Sequence, residues 1–158
     1  RGFFLESFNQ NKFNDVLNTS IEFVQDNHSR SSRGVLRGLH YQIEHSQGKL
    51  IRCTHGSIYD VIVDLRRNSL SFGKWFGVKL CSPEMQLWAP PGLAHGFYTL
   101  SDFAELMYKT TDYYYPEFEQ CLIWDDPEIS IDWNLDKSPI LSLKDQKGIN
   151  FIQCHKYN

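Results

Sequence analysis

A histidine and a lysine in the first half of the chain have the chemistry of a base and its cationic partner. His40 follows Gly38 in the predicted strand Val35–Gln42, and Lys49 begins the next predicted strand. A neutral imidazole can abstract a proton, and a nearby ammonium group can stabilise the oxyanion that forms. Strict alternation places Arg37 and His40 on opposite strand faces, so a bulge at Gly38 or a phosphate at the strand edge is needed for both to serve one ligand.

The segment Pro90–Phe97 contains the Pro-x-Gly-x-x-His pattern of the second cupin motif, in which a tight turn delivers a histidine to the mouth of a barrel. The first cupin motif presents His-x-His, with a glutamate four residues after the first histidine. His40 and Glu44 fit that pattern, but Gln42 stands in place of the second histidine. Because an amide is a poor ligand for transition metals, the pattern favours metal-free acid–base chemistry. A metal site of His40, Glu44 and His95 is the alternative.

Four tyrosines between positions 108 and 115 are candidates for acid catalysis and for stacking. Tyr108 shares its predicted strand face with Ala104 and Leu106, which predicts a buried ring. Its hydroxyl is then either a general acid or a structural hydrogen-bond donor. The run Tyr113–Tyr115 leaves at least one ring on each face of the chain, and one of these rings could stack on a flat base.

Short runs of β-branched and aromatic residues between turn residues predict strands along most of the chain. The predicted strands are Ile21–Gln25, Val35–Gln42, Lys49–His55, Ser57–Leu65, Lys74–Cys81, Met85–Ala89, Ala94–Leu100 and Phe103–Thr110. Helix is predicted only at Asn9–Leu17 and Ser142–Gly148, where Ser142-x-x-Asp145 has the form of a capping box. About eight strands in 158 residues predict a single all-β domain, 1–158, a jelly-roll sandwich or barrel with short peripheral helices.

Composition and charge narrow the class of protein. With 41% hydrophobic and 22% charged residues the chain is typical of a globular domain, and no apolar run approaches the ~18 residues of a membrane helix. The formal charge is −3, yet the stretch from Arg30 to Arg67 carries seven Lys/Arg against three acids. A basic middle in an acidic chain favours a small anionic ligand, such as a phosphorylated metabolite, over nucleic acid.

The four cysteines, Cys53, Cys81, Cys121 and Cys154, are widely and irregularly spaced, with no Cys-x-x-Cys pair. This spacing argues against a zinc site and against a redox motif. Together with first residues that do not form a secretory signal, it predicts a soluble cytoplasmic protein with reduced thiols.

A longer series of segments runs in order along nearly the whole chain. The segments are Arg1–Phe4, Val24–His28, Val35–Gln42, Gln47–Leu50, Asp60, Asp64–Arg67, Phe72–Trp75, Gln86–Trp88, Ala94–Phe97, Trp124–Pro127 and Ile131–Trp133. Together they resemble the dTDP-4-dehydrorhamnose 3,5-epimerase family, nucleotide-sugar epimerases of the cupin superfamily. The resemblance implies a jelly-roll cupin fold without metal or other cofactor, and a homodimer. One departure from the family is expected: its members carry a further N-terminal strand before the Arg-Gly-Phe-Phe segment, with which this sequence begins.

Carried over position by position, the resemblance makes His40 the proton-abstracting base, held by Asp145 in a His–Asp dyad. Tyr108 matches the proton donor on the opposite face of the sugar, Lys49 the cation that faces the C4 oxygen, and Tyr114 the ring that stacks on thymine. The other matched positions bind the nucleotide, diphosphate or sugar: Arg1, Glu6, Gln25, Asn27, Arg37, His95, Glu119 and Lys144. A purely structural role for Asp145, as the acid of a capping box, is the alternative.

The activity that the resemblance implies is inversion of C3 and C5 of dTDP-4-keto-6-deoxy-D-glucose to dTDP-4-keto-L-rhamnose, a step of dTDP-rhamnose and lipopolysaccharide O-antigen biosynthesis. Three alternatives stay open at this point. One is an epimerase that inverts a single carbon of a related nucleotide 4-keto sugar. Another is a metal-dependent cupin enzyme using His40, Glu44 and His95. The third is a catalytically silent module that binds a nucleotide sugar.

Overall fold

Nine strands form two antiparallel sheets in the computed structural model, which describes residues 1–158. In spatial order, the first sheet consists of β1 (Gln25–Ser32), β8 (Phe103–Thr110), β3 (Lys49–His55) and β6 (Leu87–Ala89). The second consists of β5 (Trp75–Leu80), β4 (Ile58–Asp64), β7 (Leu93–Thr99), β2 (Leu36–Gln42) and β9 (Glu119–Cys121). The helical elements are α1 (Gln10–Leu17), α2 (Leu143–Gln146) and a 3₁₀ turn (Pro116–Phe118). The predicted all-β sandwich of cupin type is confirmed.

The inner strands β4 and β7 of the second sheet are covered on both faces, and β4 shows how. Because successive side chains of a strand point to opposite faces, Val61 and Val63 join one core cluster while Ile58 joins another. The segment after β9 closes the first cluster with Leu122, Ile129, Trp133 and Cys154. The second cluster lies between the sheets and includes Ile51 and Leu106 of the first sheet.

The predicted strand Ile21–Gln25 is wrong, because the chain enters the sheet only at Gln25. Ahead of that point Phe23 packs against Phe8, Phe13 and Trp88, with ring centroids 5.3, 5.0 and 5.9 Å away. The strand that follows reads Gln-Asp-Asn-His-Ser-Arg-Ser-Ser, and most of its side chains alternate between half-buried and exposed. The sequence of this strand contains no apolar run, because one face lines a polar cavity and the other faces solvent.

The other predicted strands and both predicted helices are confirmed with small shifts at their ends, and β9 is an additional short strand. Asn9 caps α1, where its side chain accepts a hydrogen bond from the Lys12 amide at 3.1 Å. Ser142 caps α2 and accepts from the Asp145 amide at 3.1 Å, as the capping-box pattern predicts. Neither helix is long and apolar enough to cross a membrane.

Candidate active site

Side chains from both sheets line a polar cavity of about 280 Å³. Ten of the thirteen predicted site residues face it: Gln25, Asn27, Arg37, His40, Lys49, His95, Tyr108, Tyr114, Glu119 and Lys144. The remaining lining residues are Ser29, Gln47, Gly96 and Phe97. The cavity therefore gathers residues that are up to 119 positions apart in the chain.

A bulge in β2 turns Arg37 and His40 toward the same cavity. Arg37 pairs with Phe97 of β7 and His40 pairs with His95, so β2 has one more residue than β7 between these pairs. The bulge contains Gly38, whose φ is +112° and whose position has no room for a side chain. Of the two predicted solutions, the bulge at Gly38 is therefore present, and the alternation of the strand no longer separates the two residues.

His40 and Asp145 form a hydrogen-bonded pair, with 2.6 Å between Nε2 and Oδ1. Burial lowers the pKa of His40, although the hydrogen bond to Asp145 opposes that shift. Burial raises the pKa of Asp145, but hydrogen bonds from His40 and Ser142 outweigh it and lower the pKa to about 2. At neutral pH the pair is thus a neutral imidazole and a carboxylate. The carboxylate accepts the Nε2 proton and leaves Nδ1 as a base.

Two further groups, a hydroxyl and a backbone amide, hold the carboxylate of Asp145, a residue that is only 2% exposed. The Ser142 hydroxyl donates to Oδ2 at 2.6 Å, and the Gly38 amide donates to Oδ1 at 3.2 Å. The backbone amide of Asp145 donates to the hydroxyl of Ser142, the residue that caps α2. The capping and dyad interpretations of Asp145 are therefore compatible, because its backbone serves the cap while its side chain holds His40.

Lys49 reaches the cavity from β3, in the sheet opposite His40. Its Nζ donates to the His40 carbonyl oxygen at 3.3 Å. Burial lowers the pKa of Lys49 to about 8, although the carboxylates of Glu119 and Asp60 oppose that shift. Most Lys49 side chains therefore keep their proton at neutral pH and carry a positive charge although the residue is buried.

Tyr108 extends from β8, on the same sheet as Lys49, and its ring packs against the core cluster between the sheets, as predicted. The ring also meets that of His95 edge-on, with 6.5 Å between centroids. Burial and the Glu119 carboxylate raise the pKa of Tyr108, while Arg37 opposes this shift. The phenol is therefore protonated at neutral pH and able to donate a proton into the cavity.

A charged network joins three predicted substrate-binding residues at the cavity. Glu119 Oε2 accepts hydrogen bonds from the Tyr114 hydroxyl at 2.8 Å and from Lys144 Nζ at 2.7 Å. Burial raises the pKa of Glu119, but these two bonds outweigh it and lower the pKa below its usual range. The same carboxylate, with burial, raises the pKa of Tyr114 to about 12.

The cations and amides of the cavity suit an anionic ligand. Arg37 Nε donates to Ser31 Oγ at 2.9 Å, which holds the guanidinium at the cavity wall. Gln25 Nε2 donates to Asn27 Oδ1 at 3.0 Å. Arg37 and Lys144 therefore present two positive groups to one cavity, an arrangement that fits a diphosphate.

The buried pair of His95 and Asp60 was not predicted from the sequence as a unit. His95 Nε2 lies 2.8 Å from Asp60 Oδ1, while Asp60 Oδ2 is buried with no hydrogen-bond partner. The signal that could have found Asp60 is a carboxylate between Ile58 and Ile62 on one face of β4, since a buried charge needs a partner. Ser29 and Gln47, which also line the cavity, carry no comparable signal.

Arg1 and Glu6 are not brought to the cavity of their own chain. Arg1 is exposed, and Glu6 accepts a hydrogen bond from Lys12 Nζ at 2.7 Å on the outside of the first sheet. Their assignment to substrate binding stays a prediction.

The alternative metal site is not assembled, because His40, Glu44 and His95 do not place their ligand atoms together. Glu44 is exposed beyond the end of β2. The group whose possible ligand atoms all lie within 4.8 Å is His40, Cys121 and Asp145. In that group burial raises the pKa of the Cys121 thiol to about 12, and His40 and Asp145 already bond each other. These residues fit a hydrogen-bonded dyad better than a metal centre.

Known proteins similar to this chain point to one family. The family model described as dTDP-4-dehydrorhamnose 3,5-epimerase matches residues 1–153. The dTDP-4-dehydrorhamnose 3,5-epimerase of Pseudomonas aeruginosa is 56% identical over 155 residues, which are 98% of this chain and 86% of that protein. The enzyme of the same name from Escherichia coli is 57% identical over 149 residues, or 93% of this chain and 80% of that protein.

Solved structures agree with these relatives. The dTDP-6-deoxy-D-glucose-3,5-epimerase of Legionella pneumophila, in complex with dTDP-4-keto-L-rhamnose, aligns with a TM-score of 0.94 at 46% identity, covering 98% of this chain and 82% of that one. A 3'-monoepimerase from Streptomyces bikiniensis, in complex with dTDP-quinovose, aligns at 0.85 and 32% identity over 93% of this chain and 75% of that one. The whole-chain match and the identities above 50% show that this chain, an isomerase-class enzyme, belongs to the dTDP-4-dehydrorhamnose 3,5-epimerase family.

Proposed function

We propose that this enzyme inverts C3 and C5 of dTDP-4-keto-6-deoxy-D-glucose to give dTDP-4-keto-L-rhamnose. The observation that carries the proposal is the placement of a base and an acid on opposite sheets. His40 enters the cavity from the second sheet and Tyr108 from the first. Inversion at a carbon requires proton removal from one face and delivery to the other, and this pair supplies both.

The proposed mechanism uses the acidity of protons α to the C4 ketone. His40 Nδ1 removes the proton from C3 or C5, and the electrons of the broken C–H bond move into an enolate with its charge on the C4 oxygen. The Lys49 ammonium stabilises that oxygen, a contact worth about 3 kcal/mol in a site with little water. Tyr108 then donates its proton to the opposite face of the carbon. Exchange of protons with solvent restores His40 and Tyr108, and no electron is gained or lost.

The remaining cavity residues are proposed to hold the nucleotide and the sugar. Arg37 and Lys144 face the diphosphate, and Tyr114 stacks on the thymine ring. Gln25, Asn27, His95 and Glu119 are proposed to bind the nucleotide or sugar with their polar groups. The family resemblance and the shared lining of one cavity support these assignments.

A homodimer is a further part of the proposal. Phe3 and Phe4 are 83% and 99% exposed, although phenyl rings are normally covered. Docking of this segment on a second copy would cover both rings and bring Arg1 and Glu6 to the partner's cavity. Analytical ultracentrifugation should give the mass of a dimer. Monomers that bind dTDP as tightly as an intact site would contradict this part.

We also place the enzyme in the cytoplasm. All four cysteines are free, and three of them are buried. Free thiols persist in a reducing compartment, where disulfides are rare. Alkylation in denaturant, after the cells are quenched with acid, followed by mass spectrometry should find all four thiols reduced.

Proton exchange in heavy water tests the reaction directly. The enzyme and dTDP-4-keto-6-deoxyglucose are incubated in D₂O, and NMR follows deuterium at C3 and at C5. Deuterium at both carbons, with formation of the L-rhamno product, is expected. Exchange at one carbon would indicate a single-site epimerase, and binding of dTDP with unchanged sugar would indicate a silent binding module. Loss of activity after prolonged EDTA treatment, restored by a transition metal, would favour the metal-dependent alternative.

A further inference from the structure

Side chains, more than strand partners, hold the loop Asp112–Tyr115, which carries the ring proposed to stack on thymine. The Tyr114 amide donates to Gln25 Oε1 at 3.1 Å, and Gln47 Nε2 donates to the Asp112 carbonyl oxygen at 2.9 Å. Tyr114 itself is 48% exposed. The position of its ring therefore depends on how firmly the backbone on either side of it is held.

Gln42 bonds the backbone on both sides of Tyr114. Its Nε2 donates to the Tyr113 carbonyl oxygen at 3.1 Å, and its Oε1 accepts from the Tyr115 amide at 2.8 Å. A third bond runs from Nε2 to the His45 carbonyl oxygen at 2.8 Å. The amide oxygen meets a donor and the amide nitrogen meets two acceptors, so only this orientation of the amide satisfies all three partners. Gln42 is only 3% exposed, and a buried amide with three such partners resists displacement.

We propose that Gln42 is a positioning residue for nucleotide recognition, which holds Tyr114 where the base must stack. The inference rests on the proposed function, because it assigns Tyr114 to the base. Gln42 follows His40 by two residues on β2, so one strand fixes both the catalytic base and the loop of the stacking ring. The rigid strand β2 then sets the distance between the reacting sugar and the nucleobase. At the cupin position of a second metal-binding histidine, this chain has a residue that orders a binding loop.

Gln42 differs from the other two glutamines in a way that permits a clean test. Gln25 and Gln47 line the cavity, so their substitution would remove any direct contact with the ligand as well as the loop bond. Gln42 does not line the cavity and acts through the loop. A preorganised loop raises affinity for the nucleotide without taking part in proton transfer.

The test compares Gln42→Met with Gln120→Met, a matched control on the neighbouring strand. Gln120 bonds the Tyr41 hydroxyl at 2.7 Å and has no bond to the loop. Calorimetry with dTDP measures Kd, and steady-state kinetics measures KM and kcat. For Gln42→Met we expect Kd and KM to rise about tenfold, within the range that loss of one base–aromatic stack produces, with kcat changed less than about twofold. Gln120→Met should leave all three constants unchanged.

A double-mutant cycle with Tyr114→Ala shows whether Gln42 acts through the ring. Once the ring is gone, Gln42→Met should weaken dTDP binding less than about twofold more. Full additivity, or a wild-type Kd in Gln42→Met, would overturn the inference while the base contact stands. Unchanged dTDP binding in Tyr114→Ala would instead remove that contact from the proposed function. If Gln42→Met does not fold, Gln42→Asn replaces it under the same criteria, because the amide stays uncharged but is too short to bond the backbone on both sides of Tyr114.

Discussion

His40 Nε2 and Asp145 Oδ1 lie 2.6 Å apart although 105 positions separate the two residues in the chain. The same carboxylate also accepts from the Gly38 amide in the bulge and from the Ser142 hydroxyl at the cap of α2. One side chain therefore links His40, the bulge and the start of α2. The orientation of His40 depends on this carboxylate.

Asp145→Asn should lower kcat by a factor on the order of 10³ to 10⁴ while the protein stays folded. The amide oxygen can still accept from Nε2, but it is neutral and no longer stabilises the imidazolium that forms when His40 takes up the proton. Steady-state kinetics, with circular dichroism to establish folding, measures the effect.

Ser142→Ala is the control for the helix cap. It keeps the bond between His40 and Asp145 but removes the hydroxyl that caps α2, so we expect a loss of about 1 kcal/mol in the free energy of unfolding and less than about a tenfold change in kcat. If Asp145→Asn were as active as Ser142→Ala, the dyad would not be needed.

The pH dependence of kcat/KM should be bell-shaped. Its two limbs reflect the pKa values of His40 and Lys49, both of which burial lowers. Activity should fall on the acid side as His40 becomes protonated, at a pKa below its ordinary value of 6.5. It should fall on the alkaline side near pH 8, where Lys49 loses the charge that stabilises the enolate. Lys49→Arg keeps a charge at all these pH values, so any residual activity of this variant should lack the alkaline limb.

Glu119→Gln should move the alkaline limb to lower pH. The Glu119 carboxylate favours the charged form of Lys49, so its neutralisation should lower the pKa of Lys49 below about 8. Glu117→Gln is the matched control, because Glu117 lies two residues earlier on the exposed 3₁₀ turn. An alkaline limb that stays in place in Glu119→Gln would mean that Lys49 does not set it.

The strands that the sequence predicts well are those with an apolar face toward a core. β4, β7 and β8 bury Val61, Phe97 and Leu106, and the sequence of each strand contains an evident apolar run. β1 was misplaced because its inward side chains line a polar cavity, so no apolar pattern marks it. β9, with three residues, is too short for periodicity to identify, and its strand is set by pairing with β2.

The site residues likewise fall into those that local sequence patterns predict and those that depend on contacts between distant segments. Local signals identified His40 and Lys49, and the need for a bulge at Gly38 followed from strand geometry. The partnership of His40 with Asp145 came only through the family resemblance, because spacing carries no information about a contact across 105 positions. The sequence marks Gln42 only as a residue in place of a metal-binding histidine, since its bonds to the loop depend on how the chain returns beside β2.

Tyr108→Phe should separate proton removal from inversion. His40 and Lys49 remain, so the α proton should still exchange with deuterium, while the absence of the phenol prevents delivery to the opposite face. We expect deuterium in recovered substrate and a fall of at least about 100-fold in product formation, both measured by NMR. His40→Asn is the companion variant, in which exchange and inversion should both disappear. Rapid inversion by Tyr108→Phe would assign the proton donor to another group.

Gly38→Ala should destabilise the protein more than an ordinary glycine substitution, because the bulge brings two backbones together. A Cβ at this position would lie 2.6 Å from both Gly96 Cα and the His95 carbonyl oxygen, and no rotamer change can relieve contact with backbone. We expect a loss of about 3 kcal/mol in the free energy of unfolding, measured in urea.

Gly73→Ala is the matched control, since Gly73 also has positive φ but its Cβ would meet only the Phe151 ring at 3.3 Å. That variant should lose about 1 kcal/mol, mainly from the positive φ, because the Phe151 ring is a side chain that can shift slightly. Equal losses would show that β2 and β7 can separate at the bulge, and Arg37 and His40 would then not be held by this contact.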